Sequence, residues 1–298
     1  MSSEVSRIRV QTFLAFFAIY VIWGSTFLAI RIAVLAAPPW FCAGVRFFAA
    51  GVILFAYALA RRMPMPCPRE WRNLVIVSTL MFTLTYGALF WGEQYVPSGI
   101  TSILESTLPL MTLILEVFVL RQHKFRWSVL LAMTLGTIGV VLTMAQGNGS
   151  VVSTPVVPSL VILGGSLSWS LGAVLSRSLT LPKSRIVTAG TQMMLGGAML
   201  LILSLAFGEM NPFPKVPARA VYALLYLIVA GSLLAFSAFV WLLGRMPASQ
   251  VSSHAFVNPI VAVALGYFVA GEQITLRTLA GAALVVASVV LTLRGARD

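Results

Sequence analysis

The sequence predicts an all-α integral membrane protein, in which ten transmembrane helices form two inverted five-helix repeats around a central cavity. Three observations support this fold class. The chain is 59% hydrophobic and only 9% charged, with a mean hydropathy of +0.96. Its apolar residues fall into ten stretches of membrane-spanning length, and the chain matches itself when shifted by about half its length. A soluble domain of this composition would expose far too much apolar surface to water.

Each predicted span is long enough to cross a hydrocarbon core of about 30 Å, which takes about 20 apolar residues. The first stretch is expected to be a span and not a cleaved signal peptide, because it is long, lacks a small-residue cleavage site, and carries Trp23 and Arg31, which recur in the second half. Pro38 and Pro39 open the second span. The ten predicted spans are roughly 12–36, 38–60, 71–94, 98–120, 127–145, 158–178, 186–207, 220–243, 248–271 and 275–294.

Two offsets relate the halves of the chain. A five-helix unit starts and ends on opposite sides of the bilayer, so its copy must be inserted upside down. The predicted repeats are residues 1–145, with spans one to five, and residues 158–298, with spans six to ten; residues 146–157 link them on the outer side. A shift of 150 places Trp91, Pro97, Ser102 and Pro109 on Trp241, Pro247, Ser252 and Pro259, and a shift of 146 places Trp23 and Arg31 on Trp169 and Arg177.

The net charge of +12 would suggest a nucleic-acid partner for a soluble protein, but the positions of the charges indicate a lipid bilayer instead. Fifteen of the 20 basic residues lie in alternate connectors, in the tails or at one helix end, which the topology places on one side. Positively charged connectors stay in the cytoplasm. The chain is therefore predicted to be a multi-pass protein of the cell inner membrane, with cytoplasmic N- and C-termini and no nucleic-acid partner.

The sequence lacks the motifs of catalysis and of cofactor binding. It has no phosphate-binding loop, no H-E-x-x-H and no C-x-x-C, and its only aspartate is the last residue, Asp298. Cys42 and Cys67 fall on opposite sides of the membrane in the predicted topology, which argues against a disulfide, and two cysteines with two histidines make a poor metal site. We expect no enzymatic activity, no cofactor and no metal.

Several charged or titratable residues fall inside the predicted spans, where each needs a partner or a wet cavity. Arg46 and Glu105 both lie in the outer half of the membrane. They are expected either to form a structural ion pair or to face the cavity and bind a charged end of the substrate. Glu116 lies nearer the cytoplasmic end and is expected to snorkel. The full set is Arg31, Arg46, Glu105, Glu116 and His254.

Two mid-span prolines, Pro109 and Pro259, occupy matching positions in spans four and nine. A mid-helix proline removes a backbone hydrogen bond and kinks the helix. Neighbouring helices can satisfy the freed carbonyl, but the symmetric pair favours a role as hinges. His254 lies one turn before Asn258, beside Pro259. This pair predicts a polar patch in the pathway, with a packing histidine as the alternative.

Aromatic residues follow helical spacing on two spans. Tyr20, Trp23 and Phe27 form a stripe on span one, and Phe82, Tyr86 and Phe90 form a similar stripe on span three. Such stripes are usually packing residues. Trp23 and its repeat mate Trp169, however, lie at mid-depth, where an interfacial belt is excluded. The alternative is that these aromatic residues line the cavity.

These motifs resemble the EamA family of the drug/metabolite transporter superfamily over essentially the whole chain. The resemblance implies ten helices, two inverted repeats and export of small metabolites. Within the family the chain is similar to YddG-type exporters of aromatic and other amino acids. One departure is Arg121-Gln122-His123, where the family often has a glutamate like Glu272. The motifs are Trp23 to Arg31, Arg46 to Gly51, Val96 to Pro109, Ser166 to Arg177, Pro247 to Pro259 and Val269 to Gln273.

The predicted function is that of a secondary transporter that exports aromatic and other neutral amino acids by alternating access, through a cavity formed mainly by spans one, three, four, six, eight and nine. Alternatives are an exporter of cationic drugs or of other metabolites such as nucleotide sugars, and an integral-membrane enzyme acting on lipid-linked substrates. The oligomeric state is open, and a monomer is compatible with it. The predicted substrate-binding residues are Tyr20, Trp23, Phe27, Arg46, Tyr86, Phe90, Glu105, Trp169, His254 and Asn258, and the predicted hinges are Pro109 and Pro259.

Overall fold

The computed structural model describes residues 2–115, 127–144, 155–212, 215–243, 245, 251 and 254–295. Within these residues the structure is helical, without a β-strand, as the composition predicts. Glu116, most of the predicted linker 146–157 and the departure at 121–123 lie outside the described residues.

The first half contributes five helices, α1 to α5. Helix α1 consists of Ser2–Phe17, a π-helical segment Ala18–Ile22 and Trp23–Val34 in direct succession; α3 likewise consists of Pro68–Ser78, the π-helical segment Thr79–Leu84 and Thr85–Gly92. Helix α4 is broken into Ser98–Glu105 and Leu108–Ile114. The uninterrupted helices are α2, Pro39–Ala60, and α5, Trp127–Met144.

The second half contributes α6 to α10. Helix α8 consists of Ala218–Tyr226, the π-helical segment Leu227–Leu234 and Ala235–Leu243. The other four run without a π-helical segment: α6, Val156–Ser178; α7, Arg185–Ala206; α9, His254–Ala270; and α10, Leu276–Gly295.

Six of the described helices are long and apolar enough to cross a membrane. Helices α9 and α10 also contain apolar stretches of shorter length, Val257–Ala270 and Leu276–Ser288. The chain is thus an integral membrane protein by length and composition, and ten spans remain a prediction. The six stretches are Ile8–Val34, Pro39–Ala60, Pro68–Gly92, Val156–Ser178, Arg185–Ala206 and Ala218–Phe239.

The helices pack so that exchanging the halves leaves the main neighbours unchanged. Helix α2 packs on α7, α5 on α10, and α4 on α9. The contact of α3 with α6 has its counterpart in α8 with α1, and the contact of α1 with α9 has its counterpart in α6 with α4. These contacts therefore keep their partners when each helix is replaced by the corresponding helix of the other half.

Helices α2 and α7 cross in an antiparallel sense at two glycines. A Cβ on Gly51 would collide with the backbone nitrogen of Met194, and a Cβ on Gly197 would collide with that of Phe48. Gly51 and Gly197 differ by 146 positions, the offset that also relates Trp23 to Trp169. Only a residue without a side chain permits this backbone approach, so the crossing depends on both glycines.

The main core lies between α1, α2, α3, α4, α6, α7 and α8. Phe47 and Phe90 are among its largest fully buried side chains, and Leu104, Ile162 and Leu200 are buried in the same cluster. The partly buried side chains of Phe27 and Tyr86 pack against this core. A smaller cluster around Ile19 and Leu242 joins α1 to α8.

Candidate functional site

In α1, α3 and α8, the π-helical segment has a backbone carbonyl that accepts a hydrogen bond from a side chain on another helix. In the segment of α3, the Leu80 carbonyl accepts from Ser168 Oγ of α6 at 2.8 Å. In the segment of α8, the Gly231 carbonyl accepts from the indole Nε1 of Trp23 of α1 at 3.0 Å. In the segment of α1, the Ile19 and Tyr20 carbonyls accept from the Asn258 side-chain nitrogen of α9, at 3.2 Å each. Because π-helical turns are frequent at functional sites, these segments indicate where a functional site lies.

Arg46 is buried, with 3% of its surface exposed, and its guanidinium meets the π-helical segment of α8. Its Nε donates to Ser232 Oγ at 3.1 Å, and one terminal nitrogen lies against Gly231, where a side chain would crowd it. The guanidinium carbon lies 4.7 Å from the ring centroid of Phe47 and 5.5 Å from that of Tyr86. The other terminal nitrogen, NH1, has no hydrogen-bond partner among the described residues. A buried guanidinium nitrogen without a partner is available to a ligand carboxylate.

Glu105 does not pair with Arg46. Its Oε1 accepts a hydrogen bond from Ser166 Oγ of α6 at 2.8 Å. Of the two expectations for these residues, the direct ion pair is not formed; instead, each charged group of the first half meets a serine of the second half. Tyr86 lies within electrostatic reach of both Arg46 and Glu105, so the two charges belong to one region.

Four aromatic rings surround this region, and we call them the Tyr86 cluster: Phe47, Phe82, Tyr86 and Trp169. The ring centroids of Phe47 and Tyr86 are 4.2 Å apart, and Trp169 lies 6.0 Å from Tyr86. Trp169 and Tyr86 remain partly exposed, whereas Phe47 and Phe82 are buried. Offset and edge-to-face pairs at these distances are favourable, and the two exposed rings leave apolar surface beside Arg46.

A second set of rings, the Trp23 cluster, consists of Trp23, Phe236, Phe239 and His254. Trp23 lies 5.1 Å from Phe239 and 5.0 Å from His254 between ring centroids. With the Asn258 amide oriented so that its nitrogen donates to the Ile19 and Tyr20 carbonyls, its oxygen lies 3.4 Å from His254 Nδ1. The structure therefore brings together three of the predicted site residues, Trp23, His254 and Asn258, on α1 and α9.

The remaining predicted residues lie at the edges of these clusters or in the core. Tyr20 packs against Phe16, with 5.5 Å between ring centroids, and belongs to the cluster around Ile19. Phe27 packs against the main core, and Phe90 has no exposed surface within it. Phe90 is thus placed as a packing residue in this conformation. Pro109 lies at the break in α4, and Pro259 lies inside α9.

The break in α4 follows Glu105 directly. Ser106 and Thr107 lie between the two parts, and Pro109 occupies the first turn of the second part. The carbonyl of Leu108, just before Pro109, accepts from Ser170 Oγ of α6 at 3.2 Å. In the second half, Pro259 lies inside the continuous α9, and the carbonyl of Asn258 faces Gly24 of α1.

An acidic cluster that the sequence did not predict lies where the candidate span Pro68–Gly92 ends and α4 begins. The Glu272 carboxylate accepts from the Ser98 backbone nitrogen and Oγ, both at 2.8 Å, and from the Gly99 nitrogen at 3.0 Å. It thereby caps the N-terminus of α4. Arg31 donates to the backbone carbonyl of Glu93, whose carboxylate is fully buried. The available signal was a repeated tripeptide, since Gly-Glu-Gln occurs at 92–94 and again at 271–273.

These features define a class of protein: a helical membrane protein with a duplicated neighbour pattern, unpaired charges at the interior and aromatic rings beside them. Comparison with known families makes the class specific. The profile of the EamA-like transporter family matches residues 11–145 and again residues 157–294. The chain belongs to the EamA-like transporter family and is a membrane transporter.

Individual relatives agree with this membership. The chain is 35% identical to the uncharacterized inner membrane transporter YedA of Escherichia coli (strain K12), over 94% of this chain and 90% of that protein. It is 27% identical to the uncharacterized transporter YoaV of Bacillus subtilis (strain 168), over 93% and 94%, and 26% identical to the protein PecM of Dickeya dadantii (strain 3937), over 92% and 90%. A chain of known crystal structure shares the fold, with a TM-score of 0.64 and 19% identity over 96% of this chain and 97% of that one.

Proposed function

We propose that this chain is a secondary transporter of the inner membrane that exports aromatic and other neutral amino acids by alternating access. The observation that carries the proposal is the unpartnered NH1 of buried Arg46 beside the exposed edges of Tyr86 and Trp169. The guanidinium is suited to the substrate carboxylate, and the rings are suited to an apolar or aromatic side chain. Glu105, within reach of the same tyrosine, is suited to the ammonium group.

The proposed architecture is two inverted five-helix repeats with ten spans. Three features support it: the two profile matches, the neighbour pattern that survives exchange of the halves, and the antiparallel crossing in which Gly51 and Gly197 are equivalent. The π-helical segments of α3 and α8 add a fourth, because they lie about 150 residues apart, at matching points of the two repeats. An arrangement of this kind lets one repeat rock against the other around a fixed site.

Counterflow in proteoliposomes tests the substrate class. Vesicles preloaded with unlabelled phenylalanine should accumulate labelled phenylalanine, whereas phenylalaninamide and phenethylamine inside should drive little counterflow, because neither carries a carboxylate for Arg46. Arg46→Gln should reduce the exchange at least tenfold, and Arg46→Lys should restore part of it. An exporter of cationic drugs, the second candidate that Glu105 supports, would instead exchange phenethylamine and depend on Glu105.

Side-specific labelling tests the proposed topology. In a background without Cys42 and Cys67, a single cysteine placed in the 146–157 connector should react with an impermeant reagent added from outside. A cysteine near Arg61 should react only after the membrane is opened. The opposite pattern would contradict the cytoplasmic position of both termini.

A further inference from the structure

Glu93 is a buried carboxylic acid without a partner. It is the first residue after the candidate span Pro68–Gly92 and has no exposed surface. Neither of its carboxylate oxygens has a hydrogen-bond partner among the described residues. By contrast, the carboxylates of Glu105, Glu209 and Glu272 all accept hydrogen bonds.

The groups around Glu93 come from four elements. Arg31 of α1 donates to the backbone carbonyl of Glu93 and not to its carboxylate. The other charges that act on it are Arg46 of α2, Glu105 of α4 and Glu272, which follows α9. On the α6 side, Ile162 packs against the neighbouring Gly92 and supplies an apolar wall. Two arginines and two acids thus act electrostatically on Glu93, and of these groups Arg31 donates to its main chain.

An ionised carboxylate is strongly disfavoured in a buried position without a hydrogen-bond donor, so the neutral acid is the stable form there. Burial raises the pKa of Glu93 well above the ordinary carboxyl range, and the charge of Arg31 opposes this shift. If the outer end of the bundle opened, water would reach the carboxylate and Arg31 would be free to pair with it. The charge state of Glu93 is therefore tied to the conformation of the outer end.

We propose that Glu93 is a proton-controlled switch that closes the outer end of the transporter. The inference rests on the proposed function. The empty, outward-open transporter can close only when the Glu93 carboxylate has taken a proton from the outer solvent and become a neutral acid. The proton stays on the buried acid while the outer end is closed and returns to the outer solvent when that end opens, so external acidity controls closure without net proton transport. When the Glu93 carboxylate is protonated and the outer end closes, the Glu272 carboxylate contacts the N-terminus of α4.

The test compares transport by the wild type and by Glu93→Gln in proteoliposomes, with and without an inward proton gradient. We expect the gradient to accelerate net wild-type export several-fold. Glu93→Gln, a permanently neutral mimic, should retain counterflow exchange and lose the gradient response. Glu209→Gln removes a different outer carboxylate, which caps α2 at Phe41, and should keep the response. A gradient response in Glu93→Gln equal to that of the wild type would overturn the proposal.

A second measurement does not depend on the substrate. The infrared difference spectrum of the wild type minus Glu93→Gln near neutral pH should show the band of one protonated carboxylic acid, and its absence would overturn the proposal. If the band is present but no amino acid is exchanged, the substrate assignment fails and the proton site stands. If amino acids are exchanged but the gradient response survives in Glu93→Gln, the proton site fails and the proposed function stands. Should Glu93→Gln not fold, Glu93→Asp must keep both the band and the gradient response.

Discussion

Helices α4 and α9 carry a proline at the same position of their repeats, and they respond to it differently. Helix α4 is interrupted at Ser106 and Thr107 before it restarts with Pro109 in its first turn, whereas α9 is helical through Pro259. The residue before each proline also faces the matching helix of the other repeat, α6 in one case and α1 in the other. The residues before the two prolines differ, Thr107-Leu108 in one case and Val257-Asn258 in the other, so local sequence as well as tertiary packing contributes to the conformation at each proline. Corresponding helices of the two halves thus have different conformations in the same structure.

The ends of these two helices differ as well. At the outer end, Glu272 caps the N-terminus of α4 through three hydrogen bonds. The residue 150 positions earlier is Gln122, which carries no charge and lies outside the described residues. The N-terminus of α4 therefore has a charged cap, and the residue at the corresponding position of the other half of the sequence is uncharged.

The largest effect is expected where the halves are equivalent, at the crossing of α2 and α7. Gly51→Ala and Gly197→Ala each place a methyl group on the backbone of the partner helix at Met194 or Phe48. Because backbone cannot move aside as a side chain can, we expect each substitution to cost at least about 3 kcal/mol, the upper range for overpacking. Thermal unfolding of the purified protein measures the loss.

The control for this pair is Gly164→Ala on α6. A Cβ at Gly164 meets nothing within 4 Å, so this change should leave stability unchanged or raise it slightly through helix propensity. Losses of clearly different size at Gly51 and Gly197 would contradict the equivalence of the two repeats.

The glycine pair illustrates what the sequence can predict. The offset of 146 was visible from Trp23 and Trp169, and Gly51 with Gly197 share it; a search at that offset would have predicted the crossing. The helices, and the bend near Pro109, also follow from hydropathy and from the geometry of proline. Local patterns of a few residues are sufficient for such features.

The polar partners were not predictable, because they depend on tertiary contacts. Nothing in the local sequence of Leu227–Leu234 marks it as π-helical, and its Gly231 carbonyl is satisfied by a tryptophan more than 200 positions away. For the same reason, the expectation for Arg46 left an ion pair with Glu105 open, while the structure supplies Ser232 instead. The unpartnered Glu93 is visible only when every neighbour is known.

The second comparison concerns Trp23 and Trp169. Replacing either with Ala should impair transport at least tenfold while lowering stability by less than the roughly 3–5 kcal/mol expected for a tryptophan that is only a packing residue. Both readouts are needed: initial rates of counterflow and thermal unfolding. A variant that unfolds, or one that transports normally, would contradict a role in the site.

A milder substitution separates these two tryptophans. Trp23→Phe loses the hydrogen bond to Gly231, whereas the Trp169 indole has no acceptor among the described residues. An unsatisfied buried acceptor costs about 1–3 kcal/mol. We therefore expect Trp23→Phe to be the more damaging of the two phenylalanine variants, and equal transport rates would show that the π-helical carbonyl of α8 does not need Trp23.

The third prediction concerns the Glu272 carboxylate, which caps α4 and has an uncharged residue at the corresponding position of the other half. Glu272→Gln keeps one acceptor but loses the charge that strengthens its three hydrogen bonds. The outer end should therefore open more often. From the difference between charged and neutral hydrogen bonds, we expect its open population to rise about tenfold to hundredfold. A reporter cysteine at the buried Ser102, in a background without Cys42 and Cys67, should then react faster from outside. Glu209 caps α2 at Phe41, so Glu209→Gln should leave the labelling rate of the reporter cysteine unchanged. Unchanged labelling in Glu272→Gln would show that the cap is only a local helix terminus.

The smallest expected effect lies at the prolines themselves. If α4 is broken in one conformation and α9 in the other, Pro109→Ala should favour the state with a continuous α4, and Pro259→Ala should favour the opposite state. A bias of about 1.4 kcal/mol is enough to change the ratio of the two states tenfold. The ratio of outside to inside labelling at Ser102→Cys reads the bias directly, and the two substitutions should move it in opposite directions.

Both variants need the same stability as the reporter background, because a change in unfolding would alter labelling on its own. Ratios that move in the same direction, or do not move at all, would show that the prolines are packing features and that the difference between α4 and α9 has another cause.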